Sequence, residues 1–224
     1  MNRPLSQLIY SKVQSGDGSP RIITLHKYDQ FGQDVAEYGI AAAPTGRVIG
    51  LESYKGVFRW KDITGYTWLV GPSTRPSPLF FGDSLAEIER FLWDEIDRQE
   101  SSEPELPFLV GVEQGAIMAL ATAAAVPDLI SGVIAIEGFL PIVPGWEPPL
   151  VPLDGLPILL IDPIETPESV DGVIAGENLA STFRSWGAVV ERTVASAGVV
   201  PADAMAHWVS RQAVRTQAGV VVDD

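Results

Sequence analysis

Leu109-Val110-Gly111-Val112-Glu113-Gln114-Gly115-Ala116 is the stretch on which the fold turns. A short apolar run ends in Gly-x-Glu-x-Gly, and an alanine-rich segment follows over 115–125. The run, starting near 106, has the length and composition of a buried strand, and the alanines favour a helix. Two glycines four apart suit a tight turn between the strand and the helix. A strand, a tight turn and a helix in succession make the opening of a unit from a parallel sheet.

The rest of the chain keeps that rhythm. Apolar runs rich in β-branched residues predict strands over 21–26, 47–51, 106–112, 129–137, 158–162 and 189–194. Helical spacing covers 34–43, 85–98, 115–125, 173–186 and 202–217. Asp83 or Ser84 is the expected cap of the second of these, with Leu85, Ile88, Phe91, Leu92 and Ile96 on one face. The segment 52–81 mixes glycine, proline and aromatics without clear period and reads as extended loops shaping a surface. Residues 138–157 read as a proline-rich excursion. Strands alternating with helices predict an α/β fold, with a mostly parallel sheet covered on both faces. No internal repeat divides it, so residues 1–224 are read as a single domain.

Composition narrows the chemistry. Fifteen basic and twenty-nine acidic residues give a net charge of −14, which repels phosphate backbones and argues against nucleic acid as a partner. No apolar run reaches the roughly 20 residues needed to span a bilayer, so no membrane partner is expected. The first residues lack the apolar stretch of a secretory signal, and cytoplasm is the expected compartment. With no cysteine, thiolate metal sites and a cysteine nucleophile are excluded. His26 and His207 are the only histidines, so any Ser-His-Asp mechanism must use one of them. No cofactor or metal motif marks the chain, and none is expected.

The glycine turn resembles the nucleophile elbow Gly-x-Ser-x-Gly of α/β-hydrolases, with Glu113 where the serine belongs. Leu25-His26-Lys27-Tyr28-Asp29-Gln30 resembles the Leu-His-Gly-Tyr-Gly-Gln oxyanion loop of the phospholipase/carboxylesterase branch, with Lys27 and Asp29 in place of glycines. Ile134 to Pro141 is similar to that branch's strand ending in Ser-Gly-Phe-Leu-Pro, and 157–163 to its next strand, which leads to the acid loop. The likeness covers about residues 20–217 and implies the α/β-hydrolase fold.

The same resemblance implies that the catalytic residues are replaced. The acid should fall near Thr166, between Glu165 and Pro167, and the histidine position falls on Val199. His207 lies roughly 9–12 Å further along the last helix, at about 1.5 Å per residue. The expected activity is therefore degenerate: a hydrolase-like fold without its triad, acting as a binding or interaction protein. The alternative is an enzyme that uses Glu113 as general acid, general base or nucleophile on a small ester or carbonyl substrate, with Lys27, Tyr28 or His26 assisting.

Elbow and oxyanion loop face each other in this fold, so Lys27 and Glu113 are expected to form an ion pair, with Asp29 as a possible third member. Gln114, Asp29, Trp68 and Phe80 are the candidate ligand contacts, the aromatics as an apolar wall. A small apolar ligand, a protein partner or a homodimer would suit such a molecule. The acidic run Asp94, Glu95, Asp97, Glu100, Glu103 and Glu105 reads as a solvated face.

Overall fold

The computed structural model describes residues 6–15, 18–163, 169–170, 172–196 and 199–217. Seven strands form its central sheet: β1 (Ile9–Ser15), β2 (Gly18–Leu25), β3 (Gly46–Glu52), β6 (Phe108–Val112), β7 (Gly132–Ile136), β8 (Pro157–Pro163) and β11 (Val189–Ala195). Their order across the sheet is β1-β3-β2-β6-β7-β8-β11. Six run parallel, and β1 pairs antiparallel with β3 at the edge. Strand β1 is absent from the sequence expectation.

Alternation along the strands splits the core in two. Ile23, Leu25, Leu109, Val133, Ala135, Ile158 and Leu160 point to the face covered by α2 (Pro78–Asp97), α3 (Gln114–Ala125) and α4 (Gly176–Ser185). Ile22, Phe108, Val110, Ile134, Ile136, Leu159 and Ile161 point to the other face, under α1 (Ala36–Ala42) and α5 (Ala202–Gln217). Helix α3 is buried over every residue from Gln114 to Ala124, as suits a helix that is apolar all round.

Four differences from the sequence expectation have physical causes. The 52–81 segment is not all loop: β4 (Gly56–Arg59) and β5 (Asp62–Tyr66) pair as an antiparallel hairpin. Only Gly65 in β5 is buried, so the hairpin lacks the apolar alternation that reveals a strand. Helix α2 starts at Pro78 rather than after Ser84, because proline at the first helical position is preorganised for it. Phe81 then extends the buried stripe one turn upstream of Leu85. Residues 173–174 form β10 (Val173–Ile174), paired with β9 (Ser169–Val170), so α4 begins only at Gly176. Glu95, expected on a solvated face, is buried and held by Arg47 at 3.0 Å, by Arg98 and, at 4.0 Å, by Arg21.

Candidate functional site

The chain leaves β2 toward β3 on one side and returns through β6 toward β7 on the other. Such a reversal opens a crevice beyond the carboxyl ends of the two central strands. Lys27 follows β2 and Glu113 follows β6, so the crevice brings them together. Lys27 Nζ lies 3.3 Å from Glu113 Oε1, the ion pair expected from the sequence.

Glu113 sits at φ 49° and ψ −109°, a region that side chains rarely occupy. Its N–H donates to the Ile136 carbonyl at 2.9 Å, and its carbonyl accepts from the Ile117 N–H at 3.0 Å. A Cβ at Gly111 would stand 2.3 Å from the Gly115 carbonyl oxygen. The turn therefore presents the Glu113 side chain at the mouth of the sheet.

The pair is partly solvated, with side chains 25% exposed at Lys27 and 46% at Glu113. Exposed ion pairs are worth about 0–1 kcal/mol, so this one is not what holds the fold together. Lys27→Met and Glu113→Gln are each expected to shift stability by less than about 1 kcal/mol in urea unfolding. A loss above about 3 kcal/mol would instead mark a desolvated pair.

Asp29 does not join them. Its backbone is left-handed, at φ 56°, a conformation aspartate tolerates better than most residues. Its carboxylate accepts from Arg59 at 2.8 Å and from Thr64, both on the hairpin. Its N–H donates to the Tyr66 carbonyl at 2.9 Å, and the Tyr66 N–H donates to the Gln30 carbonyl at 3.0 Å. Asp29 is thus a bolt between oxyanion loop and hairpin, not a ligand contact.

His26 is fully buried and both ring nitrogens are used. Nε2 accepts from the Ser53 N–H at 3.1 Å, which assigns the proton to Nδ1, donating to the Lys27 carbonyl at 2.5 Å. Burial holds its pKa down at about 4, against weaker upward pulls from the Lys27 carbonyl and Asp34. Trp68 stacks on it at 4.9 Å and donates its indole N–H to the His26 carbonyl at 3.0 Å. Trp68 is fully buried, so it is core and not the ligand wall expected of it. His26 likewise holds the loop in place and is not positioned as a base.

An open cleft of about 740 Å³ lies beside the elbow, lined by Tyr28, Val57, Phe58, Leu69, Ser73 and Gln114 among others. Gln114 is buried: Oε1 accepts from Thr67 Oγ1 at 2.9 Å and from the Trp68 N–H at 3.2 Å, and Nε2 donates to Ser73 Oγ at 3.3 Å. Its amide ties the cleft wall to the elbow. Tyr28 is exposed at the mouth. Phe80, on α2, is not among the lining residues, nor is Glu113.

Val199, where the resemblance places a histidine, is exposed and borders a crevice with only about 10 Å³ of free space. Tyr38, Glu137, Asp162 and Ser196 close it. Burial pushes the Tyr38 phenol up, opposed by Lys27 and reinforced by Glu37, Glu137 and Glu113. His207 is exposed on α5. Thr166, near which the resemblance places the acid, lies outside the described residues, as does Gly198. No cluster of three or more potential metal ligands occurs among the described residues, and no described helix is long and apolar enough to cross a membrane.

Sequence reasoning misses Tyr38, Glu137, Ser53 and Thr67, which are brought in by the ends of other elements and carry no motif. It also misses Lys55, whose Nζ donates to Ser84 Oγ at 2.7 Å and whose pKa burial lowers to about 8. Ser84 is buried and donates its hydroxyl proton to the Trp68 carbonyl at 2.6 Å, so this Ser–Lys contact is structural.

The fold is that of known hydrolases. A carboxylesterase from Mesorhizobium loti is similar at a TM-score of 0.71 and 17% identity, over 94% of this chain and 99% of that one. A carboxylesterase from Bacillus cereus aligns at 0.72 and 12% identity, over 92% and 94%. A phospholipase/carboxylesterase from Dyadobacter fermentans aligns at 0.65 and 13% identity, over 94% and 99%. In sequence, a putative esterase, NocK, from Nocardia uniformis subsp. tsuyamanensis is 27% identical over 146 residues, 63% of this chain. The match spans 39% of that protein's length. No family model matches the chain.

Proposed function

We propose that this chain, which has the α/β-hydrolase fold of carboxylesterases, is a non-hydrolytic binding protein. Its cleft beside Gln114 would take a small, uncharged, largely apolar ligand, or a side chain from a protein partner. The observation that carries this reading is the Lys27–Glu113 ion pair on the two loops where the family keeps glycine and serine. Acyl transfer from a serine ester needs a base to take the hydroxyl proton and later return it. His26 has both ring nitrogens engaged, His207 is exposed on α5, and Val199, where the resemblance places the histidine, offers no proton acceptor. The cleft's polar groups Gln114 and Thr67 are engaged by each other and by Trp68, Ser73 and Leu69, which leaves shape and apolar contact as its main means of recognition.

A second reading is supported by the solvent access of Glu113. Its carboxyl is 46% exposed next to an ammonium group, in reach of a small ester or carbonyl compound that enters the crevice. It would then act as general acid or base, without a covalent intermediate.

Turnover of short- and medium-chain p-nitrophenyl esters by the wild-type protein and by Glu113→Gln separates the two. The binding-protein reading expects no turnover above the buffer rate from either. Wild-type turnover that vanishes in Glu113→Gln would overturn it and make Glu113 catalytic. Turnover that survives the substitution would overturn both readings and place the nucleophile elsewhere.

A further inference from the structure

The tip of the β4–β5 hairpin has a property that nothing in the single chain explains. Trp60 is fully exposed and occupies a left-handed backbone position, φ 61°. Hairpin turns reserve such positions for glycine, asparagine or aspartate. A bulky side chain there costs roughly 1–2 kcal/mol, and burial inside this chain offsets none of it. Phe58 and Ile63, cross-strand partners on the hairpin, are also exposed. Arg59 before the tryptophan is tied to Asp29 at 2.8 Å, so the tip is an apolar knob whose available cation is Lys61.

A matching socket lies elsewhere on the surface. A groove of about 410 Å³ runs between the carboxyl-terminal half of α2 and the end of α3, with Trp93, Ile96, Leu106 and Val151 among its lining residues. Its lining is mostly apolar, and its two charged members are acids, Glu89 and Asp128. Among the described residues no ion pair engages Lys61, Glu89 or Asp128. A tryptophan buries about 150–250 Å² of surface and gains most where its face is enclosed. The socket has the volume, the apolar lining and the charge opposite to Lys61.

One molecule cannot fill its own socket. The hairpin leaves the sheet beyond the carboxyl ends of the strands, where α3 starts. The groove lies where α3 finishes, a helix length of about 18 Å toward the opposite end of the sheet. We infer that the hairpin tip of one copy of this protein docks into the α2–α3 groove of a second copy, Trp60 as the knob and Lys61 facing Glu89 and Asp128. The contact is heterologous, so the association runs head to tail and grows with concentration. A net charge of −14 argues against an anionic lipid surface as the occupant, and the charge that favours a second copy is local, Lys61 against Glu89 and Asp128. The inference stands independently of the chemistry at Glu113.

Sedimentation velocity over roughly 5–500 µM tests it, a range suited to an interface at the small end of the scale. The wild type is expected to show a weight-average mass that rises with concentration. Trp60→Gly removes the knob and suits the turn backbone. Val151→Arg blocks the socket at an exposed loop position. Each variant alone is expected to remain monomeric. Mixed in equal amounts they retain one intact knob and one intact socket, so they are expected to form a dimer and nothing larger. A wild type that stays monomeric at the highest concentration overturns the inference. So does a Trp60→Gly variant that associates like the wild type, or a mixture that fails to dimerise. A monomeric wild type that binds anionic vesicles through Trp60 would likewise overturn it, assigning the tip to a lipid surface.

Discussion

Gly115→Ala is expected to leave little or no folded protein. The added Cβ would stand 2.0 Å from the Leu25 carbonyl oxygen, 2.5 Å from its carbon and 2.9 Å from the His26 oxygen. All three are backbone atoms at the end of β2, so no side chain can turn aside. Either the first turn of α3 moves away from the sheet, or β2 does, and both carry loops of the candidate site. Overpacking of a core usually costs about 1–3 kcal/mol, and a clash with fixed backbone lies above that range. Gly82→Ala is the control of opposite sign. Gly82 lies inside α2, and a methyl group added there would meet nothing within 4 Å. Alanine at that position is expected to add roughly 0.5–1 kcal/mol. Expression level and urea midpoints of the two variants check both. A Gly115→Ala protein with the wild-type midpoint would mean that the elbow is not packed against β2 as described.

That glycine also shows how much is legible in the sequence. The Gly-x-Glu-x-Gly turn marks the strand and the helix, and the resemblance of residues 25–30 to an oxyanion loop adds the facing loop, from which the Lys27–Glu113 pair follows. It is legible because backbone contact leaves a sequence mark: only glycine fits. The parallel strands are legible for a similar reason, since strands buried on both faces are continuous apolar runs. The hairpin is not, because its exposed Phe58, Trp60 and Ile63 break the rule linking apolar residues to burial. Trp68 misleads in the opposite direction. An aromatic in a loop-rich segment looks like a ligand wall, but only the fold shows that it lies under the oxyanion loop, stacked on His26. Asp29, two residues from Lys27, looks like a member of the charge cluster. The left-handed turn at Asp29 sends its carboxylate to the hairpin instead.

The elbow itself poses a physical question. Glu113 holds a backbone conformation that in hydrolases projects a nucleophile, and such conformations cost on the order of 1–3 kcal/mol. Here the surrounding packing imposes it whatever residue stands at the position. The Glu113 N–H is tied to Ile136, and its neighbours Gly111 and Gly115 are pressed against backbone. The strain is thus a property of the β6–α3 crossing and does not by itself testify to catalysis. The chemistry must be argued from side chains, and these are an acid, a base held against it, and a valine.

His26 yields the second large effect, through pH. Its ring is neutral in the folded protein, with a pKa lowered by burial to about 4 from an ordinary 6.5. In the unfolded chain it takes up a proton as pH falls through 6.5, whereas the folded form resists until about 4. Between those values the unfolded state binds more protons, so stability must rise with pH and fall on acidification. The stabilising difference is fully present above about pH 6.5 and is lost progressively down to about pH 4, in total about 3 kcal/mol. His26→Gln keeps an acceptor for Ser53 and a donor for Lys27 but cannot titrate. At pH 7 it is expected to be less stable than wild type by about 1–3 kcal/mol, through lost stacking on Trp68 and poorer hydrogen bonds. As pH is lowered to about 4.5 the gap should close and then reverse, because only the wild type is penalised for a histidine that its fold keeps neutral. Urea unfolding of both proteins at several pH values measures that gap directly, and carboxylates shared by both cancel in the difference. A gap that stays constant from about pH 7 to 4.5 would mean that His26 titrates alike in both states. The buried clamp between Ser53, Lys27 and Trp68, and with it the rigid placement of Lys27 before Glu113, would then be wrong.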